Sequence, residues 1–65
     1  MEYELKRFLD ALAVNNGIAT RGRLPICTRA QDRARITARR LGYAYYEAGA
    51  WHLTDAGREA LASSY

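Results

Sequence analysis

Seven arginines, Arg21, Arg23, Arg29, Arg33, Arg35, Arg39 and Arg40, lie between Thr20 and Arg40, with Asp32 as the only acid among them. Seven less one leaves +6 in this segment; the whole chain carries +3, so the flanks sum to −3. None of the bases here is a lysine. A guanidinium is a planar fork of donors that fits phosphate oxygens and the edge of guanine, whereas lysine is a flexible point charge. The chemistry open to this segment is anion recognition, with a plain solvated helix face as the bland alternative.

Catalytic chemistry finds little to work with. The chain has one cysteine, Cys27, and one histidine, His52. That excludes an intrachain disulfide and leaves a Cys/His metal site short of ligands. A triad needs a nucleophile, a base and an orienting group, and His52 falls in an expected strand beside Trp51. On the outer face of that strand it is either inert or a phosphate contact. Cys27, just ahead of a helix, is expected as a small buried residue, with a reactive redox thiol as the alternative. Neither a glycine-rich phosphate loop after a strand nor a paired-carboxylate site is evident. No enzymatic activity, cofactor or metal is expected.

Sixty-five residues allow one domain and one core. A chain this short buries only about 60% of its unfolded surface, and its stability should lie low in the usual range of ~5–15 kcal/mol. Small domains gain strength from disulfides, metals or oligomerisation. With the first two removed, a homodimer through the terminal helices is expected. No apolar run approaches the roughly 18 to 20 residues of a membrane span. The acidic opening Met1-Glu2-Tyr3-Glu4 runs straight into an amphipathic pattern, unlike a signal peptide. A lone cysteine suits the reducing cytoplasm.

The elements that must position the arginines can be read in order. Leu5, Phe8, Leu9, Leu12 and Ala13 recur with helical spacing, so a helix is expected over 3–14, with Glu2 and Glu4 complementing its dipole. Asn15-Asn16-Gly17 stops it. Ile18-Ala19 is a short strand. Thr20 opens a brief turn of helix through Leu24, weakened by Gly22 and closed by Pro25. Thr28 caps a helix running to Leu41 and stopped by Gly42. Its expected buried face is Ala30, Ala34, Thr37, Ala38 and Leu41. Opposite stand Thr28, Asp32, Arg35 and Arg39, with Gln31 at one border and Arg29, Arg33, Ile36 and Arg40 at the other.

Beyond Gly42 the period changes to that of a β-hairpin, 43–46 and 50–53. A three-residue loop, Glu47-Ala48-Gly49, with Gly49 left-handed, pairs Tyr45 with Trp51. It puts Tyr43, Tyr45, Trp51 and Leu53 on the core face. A two-residue Ala48-Gly49 loop pairs Tyr46 with Trp51 instead, but Ala-Gly is poor chemistry for the favoured turns; the first register is expected. Thr54 caps a last helix from Asp55 to about Ser63, whose apolar side is Ala56, Gly57, Ala60 and Leu61.

This order gives an α+β domain, mainly α, over 1–65: a winged helix-turn-helix with the hairpin as wing. Arg39-Arg40-Leu41-Gly42-Tyr43 and Trp51-His52-Leu53-Thr54-Asp55-Ala56-Gly57-Arg58-Glu59-Ala60-Leu61 resemble the back half of bacterial winged-helix regulators of the MarR and PadR type. The resemblance covers roughly residues 28 to 62. It implies a DNA-binding scaffold with the helix from Thr28 as recognition helix and a wing tip around Ala48-Gly49. Those families carry a regular second helix where this chain has the broken segment 20–26.

On that reading the domain is a small transcriptional regulator that binds double-stranded DNA. Thr28, Gln31, Asp32 and Arg35, in the first turns of the recognition helix, are the expected base-edge readers. Arg29, Arg33 and Arg39 suit phosphates, and Arg21 and Arg23 face the backbone beside the groove. Asp32 has an alternative role, holding Arg35 by an i,i+3 pair. The rival class is an adaptor or inhibitor docked on an acidic protein. Tyr43, Tyr45, Tyr46, Trp51 and Tyr65 supply aromatic contact area for it, and aromatics exposed away from the arginines would favour it.

Overall fold

Leu5, Phe8, Leu9 and Leu12, spaced to share one side of a helix, are all buried along α1, Tyr3–Val14, in the computed structural model, which describes residues 1–64. Tyr65 lies outside the described residues. The start of α1 is fixed by Glu2, whose carboxylate accepts the backbone N–H groups of Glu4 and Leu5 at 2.9 and 3.0 Å. Its end is a left-handed pair, Asn16 at φ 63° and Gly17 at φ 85°, residue types that tolerate this region.

The turn delivers β1, Ile18–Ala19, followed by a 3-10 turn at Arg21–Arg23. Thr20 precedes that turn without a side-chain capping bond. Then come α2, Arg29–Arg40; β2, Ala44–Glu47; β3, Ala50–Leu53; and α3, Asp55–Ala62. The domain is α+β and mostly helical, with an antiparallel sheet in the order β1-β3-β2. No helix among the described residues is long and apolar enough to cross a membrane.

The sheet buries one face. Ala19, Ala44, Trp51 and Leu53 point into a core completed by α1, Ala34 and Ala38 of α2, Leu24 and Leu61. Trp51, Phe8, Leu9 and Leu12 are the largest fully buried side chains. The indole of Trp51 meets Phe8 edge-on, with centroids 5.5 Å apart and planes at 85°.

The hairpin register corrects the expected one. The loop has two residues, Ala48 and Gly49, both left-handed at φ 53° and 78°, as a type I′ turn requires. Tyr46 faces Trp51, Tyr45 faces His52 and Ala44 faces Leu53. A one-residue slip sends every side chain of a strand to the other face, so Ala44 goes inward and Tyr45 outward. The physical reason is volume and polarity. The interior already holds Trp51 and Phe8, and a tyrosine inside would need a partner for its hydroxyl; alanine needs neither space nor partner. Tyr43, ahead of β2, still packs partly buried against the core.

Two glycines and a threonine join hairpin to α3. The Thr54 hydroxyl donates to the Gly42 carbonyl at 2.6 Å and accepts the Gly57 N–H at 3.0 Å. A side chain at Gly57 would run into the Tyr43 carbonyl and Leu53. Leu41-Gly42 and the stretch from Leu53 to Gly57 thus meet in space, which gives these residue types a local physical cause. Along α3, Gly57 and Leu61 are buried and Ala60 half-buried, but Ala56 is exposed, contrary to expectation. In the helix's first turn, it lies outside the contact that Gly57 makes with Tyr43.

Ala48 is the one strained choice in the hairpin, since a left-handed alanine costs roughly 1–2 kcal/mol. Asparagine tolerates that conformation and suits the first turn position. Ala48→Asn should therefore stabilise the domain by about 0.5–1 kcal/mol. Thermal unfolding should shift upward by several degrees, at about 4–8 °C per kcal/mol for a domain of this size. An unchanged or lowered midpoint contradicts the two-residue turn.

Candidate nucleic-acid interface

The recognition-helix candidate, α2, is anchored at its start by a reciprocal cap. The Thr28 hydroxyl accepts the Gln31 N–H at 3.1 Å, and the Gln31 side-chain oxygen accepts the N–H groups of Thr28 and Cys27 at 3.2 and 3.0 Å. Thr-x-x-Gln is a capping box, legible in the sequence although both residues were expected at base edges. The structure engages them in holding the helix start.

The inward side of α2 is narrower than expected, and turned. Ala34 and Ala38 are buried, with Thr37 on one flank and Gln31 and Arg35 half-buried on the other. Ala30 and Leu41, both expected inside, are exposed. Ala30 lines an open groove of about 290 Å³ with Glu2, Leu5, Arg33, Ala34 and Thr37; its methyl is too short to close that gap. Leu41 is the C-cap residue, beyond the last helical turn.

Arg35 departs most from its expected place opposite the buried face. Its side chain is only 19% exposed. The Nε donates to Asp32 Oδ1 at 2.9 Å, and one terminal nitrogen lies 2.8 Å from the same oxygen. The guanidinium carbon sits 5.7 Å from the ring centroid of Trp51. Asp32 therefore takes the alternative role weighed for it, and Arg35 ties α2 to the central strand. Arginine can do this because its stem covers apolar surface while its head remains polar.

Turning Arg35 inward changes what faces out. Arg29, Arg33, Ile36 and Arg40 fall within roughly 60° of one another at 3.6 residues per turn, and all four are exposed. Arg39, also exposed, flanks them. The structure thus joins Arg29, Arg33 and Arg39 in one outward region. It adds Arg40, which the sequence placed only at a border; its i+7 spacing from Arg33 was the available signal. Arg21 and Arg23 are exposed on the 3-10 turn, joined to α2 through residues 24–27. The hairpin offers no lysine or arginine; Glu47 borders the turn, and its backbone carbonyl accepts from His52 Nε2 at 3.2 Å.

Cys27 is exposed, not buried as expected. Leu24 is buried and Ile26 partly so, and the extended segment between them and the cap leaves the next side chain outside. On the outer face of the sheet, Tyr45 stacks on His52 with centroids 4.8 Å apart and planes at 5°. Ile18, whose register partner is His52, is 54% exposed there. This apolar strip faces away from the helices.

No family model, curated protein or solved structure matches the chain.

The tether of Arg35 generates a stability prediction. A partly desolvated cation–π contact contributes about 0.5–2 kcal/mol and an i,i+3 pair about 0.2–0.5 kcal/mol. Arg35→Ala should then destabilise the domain by about 1–2 kcal/mol in urea unfolding. Arg35→Lys should restore only part, because lysine lacks the planar fork. Full stability in Arg35→Ala would mean that the guanidinium stands free of Trp51 and Asp32.

Proposed function

We propose that this domain is a small winged helix-turn-helix DNA-binding protein, a transcriptional regulator that lays α2 in the major groove of duplex DNA. The observation that carries this reading is the outward region of α2: Arg29, Arg33 and Arg40 in a stripe, flanked by Arg39, with no acid in the stripe. The inward face of alanines supports it, because small residues let the helix lie close on its own core while its other side stands proud. The sheet order, with the hairpin following α2, supports the winged-helix reading. On this reading Arg29, Arg33 and the flanking Arg39 contact phosphates, and Arg40 joins them. Arg21 and Arg23 extend the basic surface.

Each arginine that neutralises a phosphate releases condensed counterion, so log K falls with log salt by roughly 0.9 per contact. Titration of random duplex DNA at several salt concentrations should show this dependence. Arg33→Ala should weaken binding to all duplexes alike and flatten the slope by about one unit. Absence of salt-sensitive binding at low ionic strength overturns the proposal.

A second reading, docking on an acidic protein, is favoured by one observation: Ile18, Tyr45 and His52 form an exposed apolar and aromatic strip away from the arginines. Such a partner would be displaced by salt yet also weakened by Tyr45→Ala, which leaves DNA binding untouched. Two copies paired through their terminal helices would present two α2 helices to one duplex. Sedimentation at high micromolar concentration should show the dimer; a monomer removes the pairing without touching DNA binding by one domain.

A further inference from the structure

Ile36 is 52% exposed in the middle of a helix face that is otherwise charged. A single exposed isoleucine is ordinary on a protein surface. Its surroundings are not. On a helix the surface neighbours of a residue are those three and four positions away, here Asp32, Arg33, Arg39 and Arg40. Three are exposed arginines. The fourth, Asp32, is paired with Arg35 at 2.8 Å, whose guanidinium lies against Trp51. The result is an apolar knob with arginines at three of its four neighbouring positions, facing outward while Arg35, about 100° round the helix, is held against Trp51.

The complement of such a knob is a surface with anionic rims and an apolar point on its floor. The major groove is about 12 Å wide, which accepts a helix of ~10–12 Å diameter, and phosphates line both sides. On its floor the apolar group is the C5-methyl of thymine. A membrane surface fits less well, because interfacial helices need a broad apolar face to bury and α2 offers one isoleucine outward. An acidic protein would answer the arginines while leaving the isoleucine against carboxylates.

We propose that Ile36 is a specificity-determining residue that reads a thymine methyl at the centre of the α2 footprint; this rests on the DNA-binding reading above. The arginines around it supply sequence-independent grip, and Ile36 supplies a preference at one base pair. Thr28 and Gln31, occupied in the helix cap, and Asp32 and Arg35, occupied with each other, leave that central position to it.

The test uses the full 65-residue chain and duplexes selected from a random library. Each thymine of the selected site is replaced singly by deoxyuridine, which removes only the methyl. Replacement at one position should weaken binding about fourfold, the factor expected for one buried methyl-sized group. Ile36→Ala should lose about the same factor on the thymine duplex and show no further loss with deoxyuridine. Arg33→Ala should weaken both duplexes equally. Circular dichroism of Ile36→Ala should match that of the parent, so that lost binding is not lost folding. Salt-sensitive binding that tolerates deoxyuridine everywhere, or an Ile36→Ala protein that keeps the full deoxyuridine effect, overturns the role of Ile36 and leaves DNA binding standing. No binding to any duplex at low salt overturns both.

Discussion

The indole of Trp51 touches three other parts of the chain. Phe8 of α1 meets it edge-on, Tyr46 of β2 lies with its centroid 5.5 Å away at 61°, and Arg35 of α2 sits over its ring. Its backbone belongs to β3, the strand that pairs with both others. α1, α2 and the sheet are therefore referred to one side chain that is 1% exposed. The orientation of α2 depends on it in particular. Ala34 and Ala38 set the inward side of that helix and how closely it lies on the core, and the contact from Arg35 to Trp51 holds the adjoining face.

A second constraint closes the far end. Thr54 bridges the Gly42 carbonyl and the start of α3, while Gly57 lets α3 approach the Tyr43 carbonyl. The C-terminal end of α2 and the N-terminal end of α3 are thereby joined through one hydroxyl. The hairpin between them cannot tilt without breaking that bond or driving Gly57 into backbone. The outward arginine region thus stands on a base fixed at both ends, by the capping box at Thr28 and by the turn at Gly42.

Much of this was legible in the residues. The spacing of Leu5, Phe8, Leu9 and Leu12 identifies α1 and its buried side, because large apolar groups leave little freedom in which face goes in. The caps at Thr28 and Thr54 and the stops at Gly17 and Gly42 follow from residue type. The rotation of α2 was harder to read, since alanines give a weak apolar signal and a sequence pattern counts Arg35 as polar although its stem is half-buried. The hairpin register differs from the expected one because Ala48-Gly49 is poor turn chemistry, and local preference yielded to the fit of Ala44 rather than Tyr45 against a core that holds Trp51 and Leu53 in either register. Cys27 was misplaced for the opposite reason: an apolar residue type in a segment that has no periodic face to assign it to.

The exposure of the outward side of α2 has a further meaning. The outward positions 29, 33, 36, 39 and 40 are all exposed, and substitutions at such surface positions usually change stability little. A lineage carrying this domain can alter what the helix recognises by single substitutions while paying little in foldedness, and the same holds for a laboratory library randomised at those five positions. The cap, the two alanines and the Arg35 clamp form a fixed chassis; the face they present is the replaceable part.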